Sequence, residues 1–223
     1  MTDHAGPDAG FLVLADISGF TAFVTTTEIE HGAQITAALL ESVMRRLAPP
    51  LEIQELEGDA VFAIGSDRVV PDGSVLPRVV VDAFTTFKDE QRQMARDETC
   101  SCGACRAVPD LDLKVVAHHG RFVRQTVGGR SRVAGPDVIL VHRLLKNPVG
   151  GGAYLLLTAS ALERIGPHPV LAGTRHLVAR YAHFGDVLCA VADLGDHAQD
   201  AARVERSNGW SAPGPARGHP AHA

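Results

Sequence analysis

Hydrophobic residues occur along the chain either as short continuous runs or at helical spacing. Residues 11–15 are all apolar and end at Asp16, a pattern typical of a strand buried on both faces. From about 28 to 47, apolar residues recur every three or four positions, and Pro49 and Pro50 follow. We therefore expect a buried strand that carries Asp16 to an edge, and then an amphipathic helix that ends before the prolines.

The remainder of the body alternates between the same two patterns. Short apolar runs bounded by turn residues predict strands at 51–56, 60–64, 111–119, 121–126, 154–158, 176–180 and 187–191. Apolar residues at helical spacing predict helices at about 79–97, 136–146 and 160–165. We expect a tight turn at 57–59, a turn at Gly120 and a glycine-rich loop at 127–135. The order β-α-β-β-α-β predicts an α+β fold with a ferredoxin-like core.

Composition and charge narrow the class of protein. The 223 residues are 45% hydrophobic and 21% charged, which is ordinary for one globular domain. We expect that domain at 10–195, with flexible tails at 1–9 and 196–223, where apolar periodicity is missing. The net charge of −5 with scattered Lys and Arg argues against a nucleic-acid partner, although a free nucleotide stays open. No apolar stretch is long enough for a membrane span and no signal peptide is recognisable, so we expect no membrane partner and a cytoplasmic location.

Two aspartates and a polar turn carry the clearest chemical signal. Asp16 ends the first predicted strand and is followed within a few residues by Gly19, Phe20 and Thr21. Asp59 lies at or beside the turn between the strands predicted at 51–56 and 60–64. Carboxylates suit hard divalent cations, and a turn of this kind offers N–H groups and a hydroxyl to phosphates. The pattern indicates a site for a metal-bound phosphate compound.

The motifs resemble those of class III adenylate and guanylate cyclase catalytic domains, over about residues 11–147. The matching segments are Leu-Ala-Asp-Ile-Ser-Gly-Phe-Thr at 14–21, Glu-Gly-Asp-Ala-Val at 57–61, Val-Ala-His-His-Gly at 116–120 and Gly-Pro-Asp-Val-Ile-Leu-Val-His-Arg-Leu at 135–144. The resemblance implies the ferredoxin-like nucleotide-cyclase fold. It also implies a homodimer in which each site takes residues from both subunits.

The resemblance assigns roles to individual residues. It implies two ions, Mg²⁺ or Mn²⁺, on Asp16 and Asp59, with the carbonyl of Ile17 as a further oxygen ligand, and it places Gly19, Phe20 and Thr21 at the nucleotide phosphates. Arg143 matches the arginine that stabilises the transition state, a role that suits a permanently charged guanidinium. The implied reaction converts a nucleoside triphosphate to a cyclic nucleotide and pyrophosphate. The alternative is an inactive relative that binds a nucleotide or metal as a regulatory module.

Three positions depart from an adenylate cyclase. The residues that would contact the base are Glu55, where the family has a lysine, and Arg132, where it has an acidic residue. This charge reversal preserves an ion pair but presents the wrong donors and acceptors to adenine. Ile139 replaces an asparagine that orients the ribose, one helical turn before Arg143. These changes favour metal binding more than turnover of ATP.

A cysteine-rich insertion at about 99–106 lies outside the cyclase pattern and points to a divergent branch. Cys100, Cys102 and Cys105 supply three closely spaced thiols, one ligand short of a tetrahedral Zn²⁺ site. A zinc or cluster site, a redox-sensitive thiol group and incidental cysteines all remain open. For a metal site, the fourth ligand would come from Cys189, from a histidine such as His118, His119 or His183, or from a second subunit.

Overall fold

The computed structural model describes residues 6–96, 100 and 102–195. Its strands are β1 Asp8–Ser18, β2 Glu52–Glu57, β3 Ala60–Ser66, β4 Asp112–Val127, β5 Arg130–Ala134, β6 Tyr154–Thr158, β7 Arg175–Tyr181 and β8 Gly185–Asp193. Its α-helices are α1 Phe20–Thr26, α2 Ile29–Leu47, α3 Val75–Arg96, α4 Gly103–Ala107, α5 Pro136–Leu144 and α6 Ala159–Ile165. Two short 3₁₀ helices follow α4 and α6, at Val108–Asp110 and Pro169–Leu171.

The strands form one sheet in the order β2-β3-β1-β4-β6-β8-β7, with β5 paired to β4. β4 and β6 run parallel, and the other pairs are antiparallel. Helices cover the sheet, so the predicted α+β fold with a ferredoxin-like core is confirmed. The central position of β1 places its last residues between β3 and β4.

Both faces of the sheet are packed. Phe11 and Val13 of β1 face a core that includes α2 and α3, whereas Leu12 and Leu14 face a second core that includes α5. Successive residues of a strand point to opposite faces, so the continuous apolar run supplies both cores, as the sequence predicts. By the same alternation, Asp16 belongs to the α5 face of the sheet.

The region around Gly120 differs from the prediction. We expected two strands joined by a turn there, but β4 continues through Gly120 from Asp112 to Val127. A Cβ at Gly120 would lie 2.5 Å from the carboxylate of Asp137, which accepts a hydrogen bond of 2.7 Å from the N–H of Arg121. The glycine therefore makes room for Asp137 and does not form a turn.

The prediction of a glycine-rich loop at 127–135 is also wrong in part. Gly128 and Gly129 adopt positive φ angles of 59° and 77° and form the turn of a hairpin, and β5 then pairs back along β4. Glycines in this conformation are characteristic of two-residue hairpin turns. The hairpin brings the β5 side chains towards β2, as the Arg132 contact below shows.

The other boundaries follow the sequence closely. The short helix α1 was not predicted, because its seven residues are too few to show an amphipathic pattern. Of the tails expected at 1–9 and 196–223, residues 1–5 and 196–223 lie outside the described residues, and β1 already begins at Asp8. No helix in the described part of the chain is both long and apolar enough to span a membrane.

Candidate functional site

Asp16 sits at the end of β1, opposite Ala60 on β3 and Lys114 on β4. It is only 9% exposed, and its Oδ2 lies 2.6 Å from Nζ of Lys114. Burying a carboxylate costs free energy unless a cation or hydrogen-bond donors compensate it. Lys114, which we did not predict as part of the site, is that cation.

Asp59 lies beside Asp16 because the β2–β3 turn is fastened to the end of β1. The N–H of Ile17 donates a 3.2 Å hydrogen bond to the carbonyl of Asp59, and Gly58 takes a positive φ of 68° in the turn. Burial, and next the negative charge of Asp16, raise the pKa of Asp59 to about 6, with Lys114 acting in the opposite direction. The two carboxylates are thus electrostatically coupled neighbours.

This donor set fits hard divalent cations. Mg²⁺ and Mn²⁺ prefer carboxylate and carbonyl oxygens, and Asp16 and Asp59 face one ammonium group between them. Two ionised carboxylates beside one ammonium group leave one negative charge uncompensated, and burial and the charge of Asp16 raise the pKa of Asp59 despite Lys114. A cation at this position would neutralise the remaining negative charge of the two carboxylates and would compete with Lys114 for Asp16.

The turn after β1 is built around Gly19, whose φ of 87° is in the left-handed region. Its carbonyl accepts a 3.0 Å hydrogen bond from the N–H of Phe23, which starts α1. A Cβ at Gly19 would lie 3.3 Å from the carbonyl oxygen of Asp110. Phe20 is half-buried and Thr21 is exposed, so the side chain of Thr21 is accessible to a ligand.

The charge-reversed pair expected from the sequence does form. Nη2 of Arg132 on β5 lies 2.9 Å from Oε1 of Glu55 on β2, with the side chains 51% and 43% exposed. An ion pair this exposed contributes little to stability. Both groups are therefore free to exchange partners when a ligand arrives.

Helix α5 presents Ile139 and Arg143 on one exposed stripe. Ile139 is 54% exposed. Arg143 is also exposed, and its guanidinium makes no hydrogen bond or ion pair with another residue that the structure describes. The same helix is held to the β2–β3 hairpin by His142, whose Nε2 lies 2.7 Å from Oε1 of Glu57. No pattern of neighbouring residues indicated that His142 would make this contact.

The cysteine insertion meets the first turn of α2. The ligand atoms of His31, Cys100, Cys102 and Cys105 all lie within 4.8 Å of one another. Nδ1 of His31 is 3.2 Å from Sγ of Cys102 and 3.6 Å from Sγ of Cys100. The structure therefore supplies a fourth candidate ligand from this chain, and it is His31.

The fourth ligands expected from the sequence lie elsewhere. Cys189 is buried in β8, and His118 is held by Thr158 and Ser160. His119 contacts Asp67 at 3.0 Å, and His183 occupies the β7–β8 turn with a φ of 71°. None of these four residues lies in the cluster with the three cysteines, and nothing in local spacing could have indicated that His31 on α2 does.

The pKa values of the residues in the cluster are shifted in different directions. The pKa of Cys102 is lowered to about 7, mainly by a hydrogen bond from the N–H of Cys105 and secondly by one from His31. The pKa of Cys105 is raised to about 12, mainly by its hydrogen bond with Cys102 and secondly by burial. The hydrogen bond with Cys102 also raises the pKa of His31. The thiol of Cys102 therefore loses its proton more readily than the thiol of Cys105.

Solved structures with a similar fold are nucleotide cyclase domains. The guanylyl cyclase Cya2 has a TM-score of 0.67 at 14% identity, over 85% of this chain and 94% of its own. The adenylyl cyclase CyaB from P. aeruginosa has a TM-score of 0.59 at 15% identity, over 84% and 95%. The guanylate cyclase domain of RhGC from Catenaria anguillulae, solved in complex with GTP, has a TM-score of 0.55 at 16% identity, over 84% and 98%. At these identities the likeness shows the fold alone.

Sequence comparison gives the family. "Uncharacterized protein Rv2561/Rv2562" of Mycobacterium tuberculosis (strain ATCC 25618 / H37Rv) is 38% identical over 124 residues, 55% of this chain and 56% of that protein. The chain thus matches little more than half the length of that relative. The model of the family described as "Protein of unknown function (DUF2652)" matches residues 36–154, more than half of the chain. The chain belongs to this DUF2652 family, and its fold is that of the class III nucleotide cyclase catalytic domains.

Proposed function

We propose that the chain is a divergent class III cyclase-like domain that binds a nucleoside triphosphate with divalent cations and converts it to a cyclic nucleotide and pyrophosphate. The observation that carries the proposal is the pair of coupled carboxylates at the end of β1, Asp16 and Asp59. The fold and the Gly19 turn beside the pair support it. The structure of the RhGC domain contains GTP. The catalytic core of a rhodopsin-guanylyl cyclase with converted specificity was solved in complex with ATPalphaS. A nucleotide is therefore the class of ligand to test.

Each residue has a role in this proposal. Asp16 and Asp59 hold Mg²⁺ or Mn²⁺, together with the carbonyl of Ile17. The ions would supply charge compensation for the phosphates and acidify the ribose 3′-hydroxyl. The turn at 19–21 receives the phosphates, since its N–H groups and the Thr21 hydroxyl are donors. Arg143 acts from the second subunit of a homodimer, which fits its exposed position and the absence of a partner for its side chain among the described residues.

Donor and acceptor chemistry favours guanine over adenine. The Glu55 carboxylate accepts hydrogen bonds from the N1–H and amino group of guanine, and the Arg132 guanidinium donates to its O6. Adenine donates only through its N6 amino group and presents an acceptor at N1, so it offers the Glu55 carboxylate fewer donors than guanine does. Because the Glu55–Arg132 pair is about half exposed, opening it to admit a base costs little.

Nucleotide binding without turnover is the second candidate. Ile139 cannot hydrogen-bond to a ribose, and correct positioning supplies much of the rate acceleration of an enzyme. The Lys114–Asp16 ion pair also lets the site persist without a metal. These two features favour a regulatory module that has kept the fold and the ligand.

An assay for pyrophosphate and cyclic nucleotide, with GTP or ATP and either Mg²⁺ or Mn²⁺, tests the proposal. We expect product from GTP, abolished in Asp16→Asn and Asp59→Asn. Asp186→Asn is the matched control, since Asp186 is an exposed carboxylate in the β7–β8 hairpin. Bound nucleotide without product would select the second candidate. Product formation that survives both aspartate substitutions would refute the metal assignment.

A further inference from the structure

We propose that His31, Cys100, Cys102 and Cys105 bind one Zn²⁺ ion, which fastens the cysteine insertion to the first turn of α2. All four cysteines of the chain are free thiols. Three of them converge with one imidazole so that their donor atoms lie within 4.8 Å of one another. This site is separate from Asp16 and Asp59 in sequence and in ligand chemistry.

The distances suit a tetrahedral ion. Zn–S bonds of about 2.3 Å and Zn–N bonds of about 2.0 Å hold the donor atoms about 3.5–3.8 Å apart in a tetrahedron. The His31–Cys102 and His31–Cys100 separations are 3.2 and 3.6 Å. No two donor atoms of the cluster are more than 4.8 Å apart, so they have to approach one another by about 1 Å at most to surround one ion.

The ligand types select the metal. Thiolates and an imidazole are soft or borderline donors, which favour Zn²⁺ and disfavour Mg²⁺ and Mn²⁺. A complete set of Cys₃His ligands leaves no open position, which is the signature of a structural zinc site. The ion would therefore stabilise the structure and would not bind substrate.

The surrounding backbone holds the ligands in place. Glu28, the residue before α2, accepts hydrogen bonds of 3.1 and 3.0 Å from the N–H groups of Gly103 and Ala104. Sγ of Cys102 accepts a 3.4 Å hydrogen bond from the N–H of Cys105. Such second contacts orient metal ligands, and losing one typically weakens metal binding about 10- to 100-fold.

The proposed zinc site is also connected to the turn at Gly19 through the segment that contains α4. From Cys105 the chain runs through the rest of α4 to Asp110, whose carbonyl oxygen would be 3.3 Å from a Cβ at Gly19. The other side of α4 reaches the end of α1, where a Cβ at Gly103 would lie 3.7 Å from the carbonyl of Thr26. We infer that zinc binding restricts the motion of the segment up to Asp110 and of α1, which lie on the two sides of the Gly19 turn.

Metal analysis of the full-length chain, purified without an affinity tag that binds metals and then saturated with Zn²⁺, tests the proposal. We expect about one zinc ion per chain, lost in His31→Ala, Cys100→Ser, Cys102→Ser and Cys105→Ser. It should be kept in His176→Ala, an exposed histidine on β7, and in Cys189→Ala. His31→Cys should restore binding. Because His31 is exposed, its variants test the ligand set even where a cysteine variant fails to fold.

Two further measurements sharpen the result. Co²⁺ in place of Zn²⁺ should give the visible bands of a tetrahedral thiolate site, and they should change in His31→Cys. Removing zinc should speed amide hydrogen exchange in α1, α4 and the Gly19 turn, and leave β1 and β4 unchanged. Zinc retained in His31→Ala, iron and sulfide in place of zinc, or a stable disulfide among the three cysteines would each overturn the proposal.

Discussion

Lys114 and Asp16 face each other across β4 and β1, with 2.6 Å between Nζ and Oδ2. The ammonium group thus occupies the neighbourhood in which the proposed function requires a divalent cation. Lys114 compensates the buried carboxylate when no metal is bound, and a metal must compete with it. This relationship makes metal binding and stability measurable on one variant.

We expect Lys114→Met to lower the free energy of unfolding in EDTA by about 2 kcal/mol, because it leaves a nearly buried carboxylate without its cation. Mn²⁺ should then raise the melting temperature more in Lys114→Met than in the unsubstituted protein, because the competing charge is gone. Thermal unfolding in EDTA and in Mn²⁺ measures both effects. Lys146→Met, at an exposed position after α5, should change neither, and a smaller Mn²⁺ effect in Lys114→Met would contradict the proposed metal site.

Gly19 and Gly58 allow a matched comparison, since both have positive φ angles, 87° and 68°. Alanine at either position should cost about 1 kcal/mol from the left-handed backbone. Gly19→Ala should cost more, because its Cβ would also press on Asp110, whereas the space at Gly58 is open. Chemical denaturation measures the difference, and equal losses would show that the contact with Asp110 is unimportant.

His118 should make stability depend on pH. Its Nδ1 lies 2.9 Å from the Thr158 hydroxyl, and burial lowers its pKa from 6.5, although the carboxylate of Asp137 works in the opposite direction. The unfolded chain takes up a proton near pH 6.5 and the folded chain resists it. The stability that His118 contributes is therefore complete above that pH and is lost as the pH falls towards the lowered value.

Urea unfolding of the unsubstituted protein and of His118→Gln, from about pH 7.5 to about pH 5.5, tests this expectation. The difference in stability between the two should shrink as the pH falls, because only the histidine acquires the unfavourable charge. Asp59 also titrates in this range, near pH 6, but it contributes equally to both proteins and cancels. A difference independent of pH would be inconsistent with a buried neutral His118.

Arg132 and Arg124 separate ligand binding from stability. Both reach from the β4–β5 hairpin to glutamates on β2, Arg132 to Glu55 and Arg124 to Glu52. Either alanine variant should change the free energy of unfolding by no more than about 1 kcal/mol, since these are surface ion pairs. Only Arg132→Ala should weaken GTP binding, as measured by calorimetry, and an equal loss in Arg124→Ala would remove Arg132 from the base site.

The features that the sequence predicted well depend on local signals. The continuous apolar run before Asp16 and the helical spacing up to Leu47 correspond to β1 and α2 within a few residues. Asp59 was placed correctly in the β2–β3 turn because Glu-Gly-Asp lies between two strand patterns. Such signals are contained in a few neighbouring residues, and tertiary contacts did not override them.

The features that the sequence missed depend on contacts between distant residues. Gly120 looked like a turn residue, but the carboxylate of Asp137 occupies the space beside it. His31 joins cysteines 69 and 71 residues away, and no spacing rule connects an exposed histidine in the first turn of a helix to them. Lys114 became a partner of Asp16 only through the register of β1 and β4.

In the proposed function, Asp16 and Asp59 hold the cations that bind the nucleotide. This assignment is tested most directly by calorimetric binding of a non-hydrolysable GTP analogue in Mn²⁺ and in EDTA. It predicts binding that requires Mn²⁺ and weakens at least about tenfold, or about 1.4 kcal/mol, in Asp59→Asn but not in Asp186→Asn. Absence of binding, or equal affinity in EDTA or in Asp59→Asn, would contradict it.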